Sequence, residues 1–390
     1  MQKWLNIVGT QWGQFWWSSS AVTRLGPHIR DANSVQRVWN TFVFASLPAV
    51  LIGLWSLGHQ ANLALQALGP EAASGWRANW LLTLGLGLDP ASLRDCFFHG
   101  LLYFLPVLLV ALITASAWDA LFALKRNRPP DPGLLYAAWF LALLMPPTAP
   151  LYQVALGMSF GIVVGKLIFG GSGRYLVNPA LLGIGFLVFS YPALLFGEGA
   201  WVPVPGWDNP TVLELVTDEG GLPVVAAVGY DWQALFIGNK PGTVGTVSPL
   251  GALIGALILI WSGVASWRIM AGSAIGLALM VLVFNWLTPA NPLFTIPWYW
   301  HFVLGGYVFA TVFIATDPVT APMTDAGRWG FGFLVGSLTA LIRIGNPAYY
   351  EGILFAILLA CLFSPLIDYF VVQRNIRRRR LRMQRSDHGR

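Results

Sequence analysis

Gly197-Glu198-Gly199-Ala200-Trp201-Val202-Pro203-Val204-Pro205-Gly206-Trp207-Asp208-Asn209-Pro210-Thr211-Val212-Leu213-Glu214-Leu215-Val216-Thr217-Asp218-Glu219 opens the one long polar break in an otherwise apolar chain. The break runs to residue 248 and carries six acids (Glu198, Asp208, Glu214, Asp218, Glu219, Asp231) against one base, Lys240. A segment of about 50 residues between apolar helices is too long to be a mere connector. Trp201, Trp207 and the Pro-Gly turn argue that it is ordered. On both sides of it the chain reads as membrane. The protein is 56% hydrophobic and only 10% charged, where soluble domains carry about 25% charge. The sequence therefore predicts an all-α integral membrane protein divided by one polar loop.

Ten apolar stretches can be read as spans: 38–58, 100–123, 133–148, 151–170, 179–196, 249–266, 269–288, 298–316, 328–343 and 352–372. Several are shorter than the ~20 residues a spanning helix needs. Such spans are tolerated where neighbouring helices or a lined cavity satisfy the freed backbone groups. Charge orients the chain. Lys125-Arg126-Asn127-Arg128, Lys166, Arg174, Arg268 and the arginine-rich tail fall on one side, and the acidic 197–248 loop falls on the other. By the positive-inside rule both termini are cytoplasmic and the acidic loop faces outward. The loop at 317–328 is the exception, being inside but not basic. The resulting divisions are a cytoplasmic or interfacial segment 1–37, a first five-helix half 38–196, an outside loop 197–248, a second five-helix half 249–372 and a basic cytoplasmic tail 373–390. Eight arginines lie in the last 17 residues. They suit an anionic lipid leaflet, so the net charge of +6 is no nucleic-acid signal.

A spaced pair of motifs supports two halves. Thr148-Ala149-Pro150 precedes Asn178-Pro179-Ala180 by the same interval that separates Thr316-Asp317-Pro318 from Asn346-Pro347-Ala348. An odd number of helices per half makes the second copy inverted in the membrane. The competing reading is chance recurrence of common proline motifs.

The candidates for chemistry are few. Cys96 and Cys361 form no metal or haem-attachment spacing, so no iron–sulfur cluster, c-type haem or other metal site is expected. Asp317, at a helix break, and Asp368, near the end of the last span, are candidates for an ion path, because carboxylates within a membrane are costly. Asp317 could equally serve a turn, and Asp368 could pair with Arg374. Phe169 to Ala180 is a glycine-rich turn opening a helix. Its Gly171, Gly173, Arg174 and Asn178 could hold an anion or the polar edge of a cofactor, or simply close a tight turn. His28, Arg30 and Gly133 could line an interfacial pocket or lie in surface turns. Asp119 and His301 read as packing or interface residues.

Several stretches together resemble the family that holds the B subunit of the sodium-translocating NADH:quinone oxidoreductase and the D subunit of the Rnf complex, and are closer to the former. They include Pro27-His28-Ile29-Arg30-Asp31, Phe169 to Ala180, Phe236-Ile237-Gly238-Asn239-Lys240-Pro241-Gly242, Ala315-Thr316-Asp317-Pro318-Val319 and Asn346-Pro347-Ala348-Tyr349-Tyr350-Glu351-Gly352. The resemblance implies a ten-helix fold of two inverted halves in a bacterial inner membrane. It also implies other membrane and peripheral subunits as partners, and electron flow from NADH through flavins to ubiquinone, with sodium (or proton) translocation. It further implies an FMN esterified to a threonine, a riboflavin, and a quinone site to which His28, Arg30 and Gly133 are assigned.

The threonine matching the FMN acceptor is Thr211. Its surroundings depart from the family pattern, because the small residues before the acceptor are replaced by Asp208-Asn209-Pro210. Proline stiffens the approach, and an acid beside the hydroxyl would repel a phosphate diester. Thr211 would instead cap Val212-Leu213-Glu214-Leu215, with Glu214 completing a capping box. Flavin is then expected as noncovalent or absent. The alternative to a redox subunit is a redox-inactive scaffold or ion-conducting subunit of a divergent complex.

Overall fold

The computed structural model describes residues 9–11, 13, 26, 34–69, 76–192, 199–204, 206–207, 210–218, 221–287, 292–345 and 351–387. His28 and Arg30 lie outside the described residues. Among those described, the secondary structure is helical, with no strand. The main apolar helices are α1 (Val35–Leu68), α2 (Leu93–Arg126), α3 (Leu134–Leu144), α4 (Leu151–Ile162), α5 (Pro179–Ser190), α6 (Pro249–Trp261), α7 (Trp267–Leu287), α8 (Tyr307–Phe309), α9 (Asp325–Gly345) and α10 (Ile353–Asp387). A π-helical turn continues α4 (Val163–Leu167), and another continues α8 (Ala310–Ile314). Among the described residues four helices, α1, α2, α7 and α10, are long and apolar enough to cross a membrane alone; α3, α4, α5 and α6 are shorter apolar helices.

Caps set the boundaries. Ser34, Ser92 and Ser248 accept from Arg37, Asp95 and Gly251 backbone N–H groups, starting α1, α2 and α6. Asn178 accepts from the Ala180 and Leu181 amides, with Pro179 at the first helical position of α5. Asn127, at φ 50°, closes α2 in the left-handed region. α1 and α2 extend beyond the predicted spans 38–58 and 100–123: α1 runs on to its C-cap at Gly69, and Ser92 starts α2 ahead of residue 100. The predicted span 298–316 is not one helix: Trp300–Val303 stops, residues 304–306 turn, and α8 begins after Gly306.

Close helix crossings run through glycine, as small residues allow where backbones must meet. A Cβ on Gly58 would lie 1.7 Å from the Cys96 carbonyl oxygen, and one on Gly100 2.0 Å from that of Leu54. These two positions seat α1 against α2. Gly336 approaches Ser273 in the same way and seats α9 against α7. α6 lies along α1, with Gly255 against Ala45. One continuous core links α1 through α10.

The acidic segment is not a structureless loop. It folds into the short helices Val212–Asp218, Leu222–Ala227 and Trp232–Ile237. Val212, Leu213, Leu215, Val216, Val225 and Leu235 form a second small core with Ile296, Val303 and Leu304. The cap is tied to the helices. Tyr103 donates to the Pro203 carbonyl (3.0 Å), Thr148 to that of Ala200 (2.8 Å), and the Gly245 amide to that of Leu143 (2.9 Å).

The crossing of α1 and α2 gives a direct test. Gly100→Val cannot fit without parting the two helices and should cost at least about 1–3 kcal/mol. The expected result is a lower melting temperature in detergent than wild type. Ile113→Val on the exposed face of α2 should leave the melting temperature unchanged.

Candidate functional site

Two buried polar clusters occupy opposite ends of the core, and each is built around the start of a short helix. The first lies at the start of α3. The Arg128-Pro129-Pro130-Asp131-Pro132 run cannot continue a helix, so α2 ends and Asp131 turns inward. Its carboxylate accepts from the Gly133 amide (3.1 Å), from the Ser172 amide (2.6 Å) and from the Ser172 hydroxyl, and it pairs with Lys166 Nζ at 3.2 Å. The Asp131 amide donates to Asp119 (3.1 Å), which also accepts from the Gln11 side-chain amide (2.7 Å). Asp119 therefore belongs to this network.

Asp131 lies outside the helices. Burial alone would raise its carboxyl, but Lys166, the Ser172 hydroxyl and two backbone N–H groups outweigh burial and hold it below the ordinary carboxylate range.

The glycine-rich turn wraps this carboxylate. Gly170, Gly171 and Gly173 all have positive φ, and a Cβ on Gly171 would meet Asp131 Oδ2 at 2.3 Å. The Ser172 amide of the turn thus points at an internal acid. Arg174 is exposed. Asn178 faces elsewhere: its Nδ2 donates to Asp317 Oδ2 (2.8 Å) and to the Tyr136 hydroxyl (2.9 Å). Tyr175 also donates to Asp317 (3.2 Å), and the Val319 amide donates to the same carboxylate (2.9 Å). Asp317 is fully buried, and among the described residues no salt bridge reaches it. The structure so unites Asn178 with Asp317, and Gly133 with Gly171 around Asp131. It leaves Arg174 apart from both.

Asp368 stands apart from the other predicted residues. It accepts from the Met323 amide (2.7 Å), the Thr324 amide (3.1 Å) and the Thr324 hydroxyl (2.5 Å), fixing the turn before α9. Among the described residues no salt bridge joins it to Arg374. Residues six apart on a helix do not share a face, whereas those three or four apart do.

The second cluster lies under the cap formed by the acidic segment, where residues 304–306 separate Trp300–Val303 from α8. Lys240 donates to the carbonyls of Val303 (2.5 Å) and Gly305 (3.4 Å). Arg343 donates to those of His301 (3.0 Å) and Leu304 (3.3 Å). Glu351 accepts from the Gly306 amide (3.2 Å). Lys166 and Lys240, read from sequence as loop charges, are both buried. Lys240, Arg343 and Glu351 were not singled out by sequence as site residues. Lys240 lies 63 residues from Val303, Arg343 lies 42 from His301 and Glu351 lies 45 from Gly306, separations that leave no local pattern.

Thr211 sits in the cap. Its amide and hydroxyl both donate to Glu214 Oε2, at 2.8 and 3.2 Å, while the Glu214 amide donates back to the Thr211 hydroxyl (3.2 Å). The capping box read from Thr-x-x-Glu is formed. A cavity of about 550 Å³ lies nearby, lined by Arg77, Tyr103, Thr148, Val202 and Trp207 among others.

The model of the NQR2, RnfD, RnfE family matches residues 22–377. The chain belongs to this family. Its similarity is strong to proteins described as the B subunit of the Na(+)-translocating NADH-quinone reductase. The Azotobacter vinelandii protein is 44% identical, with 94% of this chain and 91% of that protein covered. That of Chromohalobacter salexigens is 45% identical over 93% and 88%, and that of Pseudomonas aeruginosa 44% over 94% and 91%. Those relatives are subunits of an enzyme complex. The stretch matched by the family takes in Asp131, Lys166 and Asp317 of the first cluster and Lys240, Arg343 and Glu351 of the second.

The Asp131 cluster is open to a pH test. Asp131→Asn leaves Lys166 buried without its partner and should destabilise the protein by about 3–5 kcal/mol at pH 7. A carboxyl held below its unfolded value stabilises at neutral pH, and that contribution is lost as pH falls through the lowered value. The gap in melting temperature between wild type and Asp131→Asn should therefore be full at pH 7 and close below about pH 4.

Proposed function

We propose that this protein is the B-type membrane subunit of a respiratory complex that passes electrons from NADH to quinone and exports sodium. The observation that carries this reading is 44% identity, running over 94% of the chain, to the B subunit of a Na(+)-translocating NADH-quinone reductase. The partners are then the other membrane and peripheral subunits of that complex, in a bacterial inner membrane.

Ten crossings in two inverted halves fit the helices described above. The two clusters support the inversion. α3 starts at Gly133 and α8 at Gly306, and a half-buried carboxylate accepts the amide of each, from Asp131 or Glu351. A buried cation from the next helix stands close by: Lys166, in the turn that continues α4, pairs with Asp131, and Arg343 of α9 reaches the Glu351 main-chain carbonyl. With both termini cytoplasmic, the Asp131 and Asp317 cluster lies toward the inside and the 197–248 cap outside.

Sodium is the substrate of the translocation. Asp317 supplies a buried carboxylate without a salt-bridge partner among the described residues, and Asn178 and Tyr175 hold it in place. This favours Asp317 over Asp368 on the ion route, since Asp368 is taken up in a turn. Gly133 lies beside Trp39, Ser172 and Lys166, which suits a place for the quinone head group toward the inside.

A flavin, when bound, supplies one-electron transfer between donor and quinone. Thr211 does not fit a phosphoester link. Its hydroxyl is engaged by Glu214 in both directions, and the carboxylate that holds it would oppose a phosphate diester. The reading is therefore a noncovalent flavin. The Thr211–Glu214 pair also favours a second reading, a redox-inactive or ion-conducting subunit that retains the fold.

An absorbance spectrum of the purified protein separates the two. Flavin bands released by denaturation support the first reading, and their absence in an assembled complex supports the second. In-gel fluorescence after denaturation should show no flavin band on this chain. A bright band that disappears in Thr211→Val would overturn the noncovalent assignment.

A further inference from the structure

The residues around the outer helix break have no part in the function described so far. Between Trp300–Val303 and α8 the chain leaves its helical path for three residues, with Gly305 at φ 62°. Carbonyl oxygens of interrupted membrane helices are the groups that coordinate sodium in many transporters. Here those of His301, Val303, Leu304 and Gly305 are all taken by side-chain cations. Lys240 donates to Val303 and Gly305, and Arg343 donates to His301 and Leu304. Lys240 is 5% exposed and Arg343 0%. Neither position is adventitious. Lys240 is held from behind, its own carbonyl accepting from Ser56 of α1 (3.1 Å), and Arg343 also reaches the Glu351 carbonyl (3.5 Å).

The inner end has the opposite balance. There Lys166 pairs with Asp131, while Asp119 and Asp317 accept from neutral donors: the Asp131 amide and Gln11 for the first, Asn178 and Tyr175 for the second. A sodium ion is drawn to the inner cluster. At the outer break it meets oxygens whose place for a cation is filled by tethered ones.

We propose that Lys240 and Arg343 form an outer gate: as tethered cations they occupy the carbonyl positions at the 301–305 break where a free sodium ion would rest. This rests on the reading that the complex moves sodium. The gate seals the outer end against back-flow. It yields only when the break moves relative to α9 and the segment before α6, which separates the carbonyls from both side chains together. Glu351 fixes the far edge of the break through the Gly306 amide, so the hinge falls within 301–305.

The test uses the assembled complex in proteoliposomes, with passive ²²Na⁺ flux measured under an imposed membrane potential and no NADH. Lys240→Met keeps the length and apolar stem of the side chain but removes the charge. It should raise passive sodium flux by about tenfold or more, whereas Lys240→Arg should stay close to wild type. A Lys240→Met complex that turns over NADH and remains as tight as wild type overturns the proposal. So does a leak of equal size in Lys240→Met and Lys240→Arg, since packing and not charge would then be at fault. Lys240→Gln provides a second neutral variant. Failure of both neutral variants to assemble, with Lys240→Arg intact, would assign the lysine to folding and reject the gate. NADH-driven sodium uptake by the wild-type complex is read separately. Its absence would remove the functional reading, while the comparison of passive fluxes would still decide the gate.

Discussion

A helix that stops short inside an apolar layer leaves backbone groups that water cannot reach, and each must find a partner or cost several kcal/mol. This constraint shapes the molecule at α3 and α8. α3 begins where Asp131 accepts the Gly133 amide, and α8 begins where Glu351 accepts that of Gly306. Each carboxylate is itself costly to bury and requires a cation nearby. Lys166 pairs with the Asp131 carboxylate from a neighbouring helix, while Arg343 reaches the main-chain carbonyl of Glu351 at 3.5 Å. The buried charges thus follow from the broken helices, and the glycine crossings follow from the need to bring their carriers close.

The two ends solve the same problem with opposite excess charge. Around α3 and residues 317–319 the acids outnumber the bases. Asp317 keeps its carboxylate among neutral donors, Asn178, Tyr175 and the Val319 amide. Around residues 301–306 two cations spend their hydrogen bonds on carbonyls. A uniform arrangement would bind a cation equally at both ends or at neither. The difference leaves the two ends unlike in charge.

Much of the fold is legible in the sequence because it is local. Apolar runs mark the helices, the turn ending at Asn178 opens one of them, and Thr211 with Glu214 marks a capping box that the structure forms. The break inside the predicted span 298–316 is harder to see. Its Gly305-Gly306 pair sits in a run apolar enough to pass for one helix. The site is less legible still. Asn178 and Asp317 are each visible as motif residues, but nothing local says that they touch. Lys166 and Lys240 look like loop charges because a single cation at the end of an apolar run usually snorkels to water. Their partners, Asp131 and the 303–305 carbonyls, lie 35 and more than 60 residues away, and only packing brings them together.

The cap shows how one local choice limits the chemistry of a position. Thr211 begins a helix whose Val212, Leu213, Leu215 and Val216 supply the small outer core. That core also takes in Val303 and Leu304, whose carbonyls Lys240 and Arg343 hold. The Thr211–Glu214 cap is therefore coupled through four apolar side chains to the outer break. Freeing the Thr211 hydroxyl for another bond would cost the cap, typically about 1 kcal/mol, and would loosen the surface on which residues 303 and 304 rest. In this chain the threonine and its glutamate act as a structural pair. The acidic segment that divides the sequence acts as a wall over the second cluster.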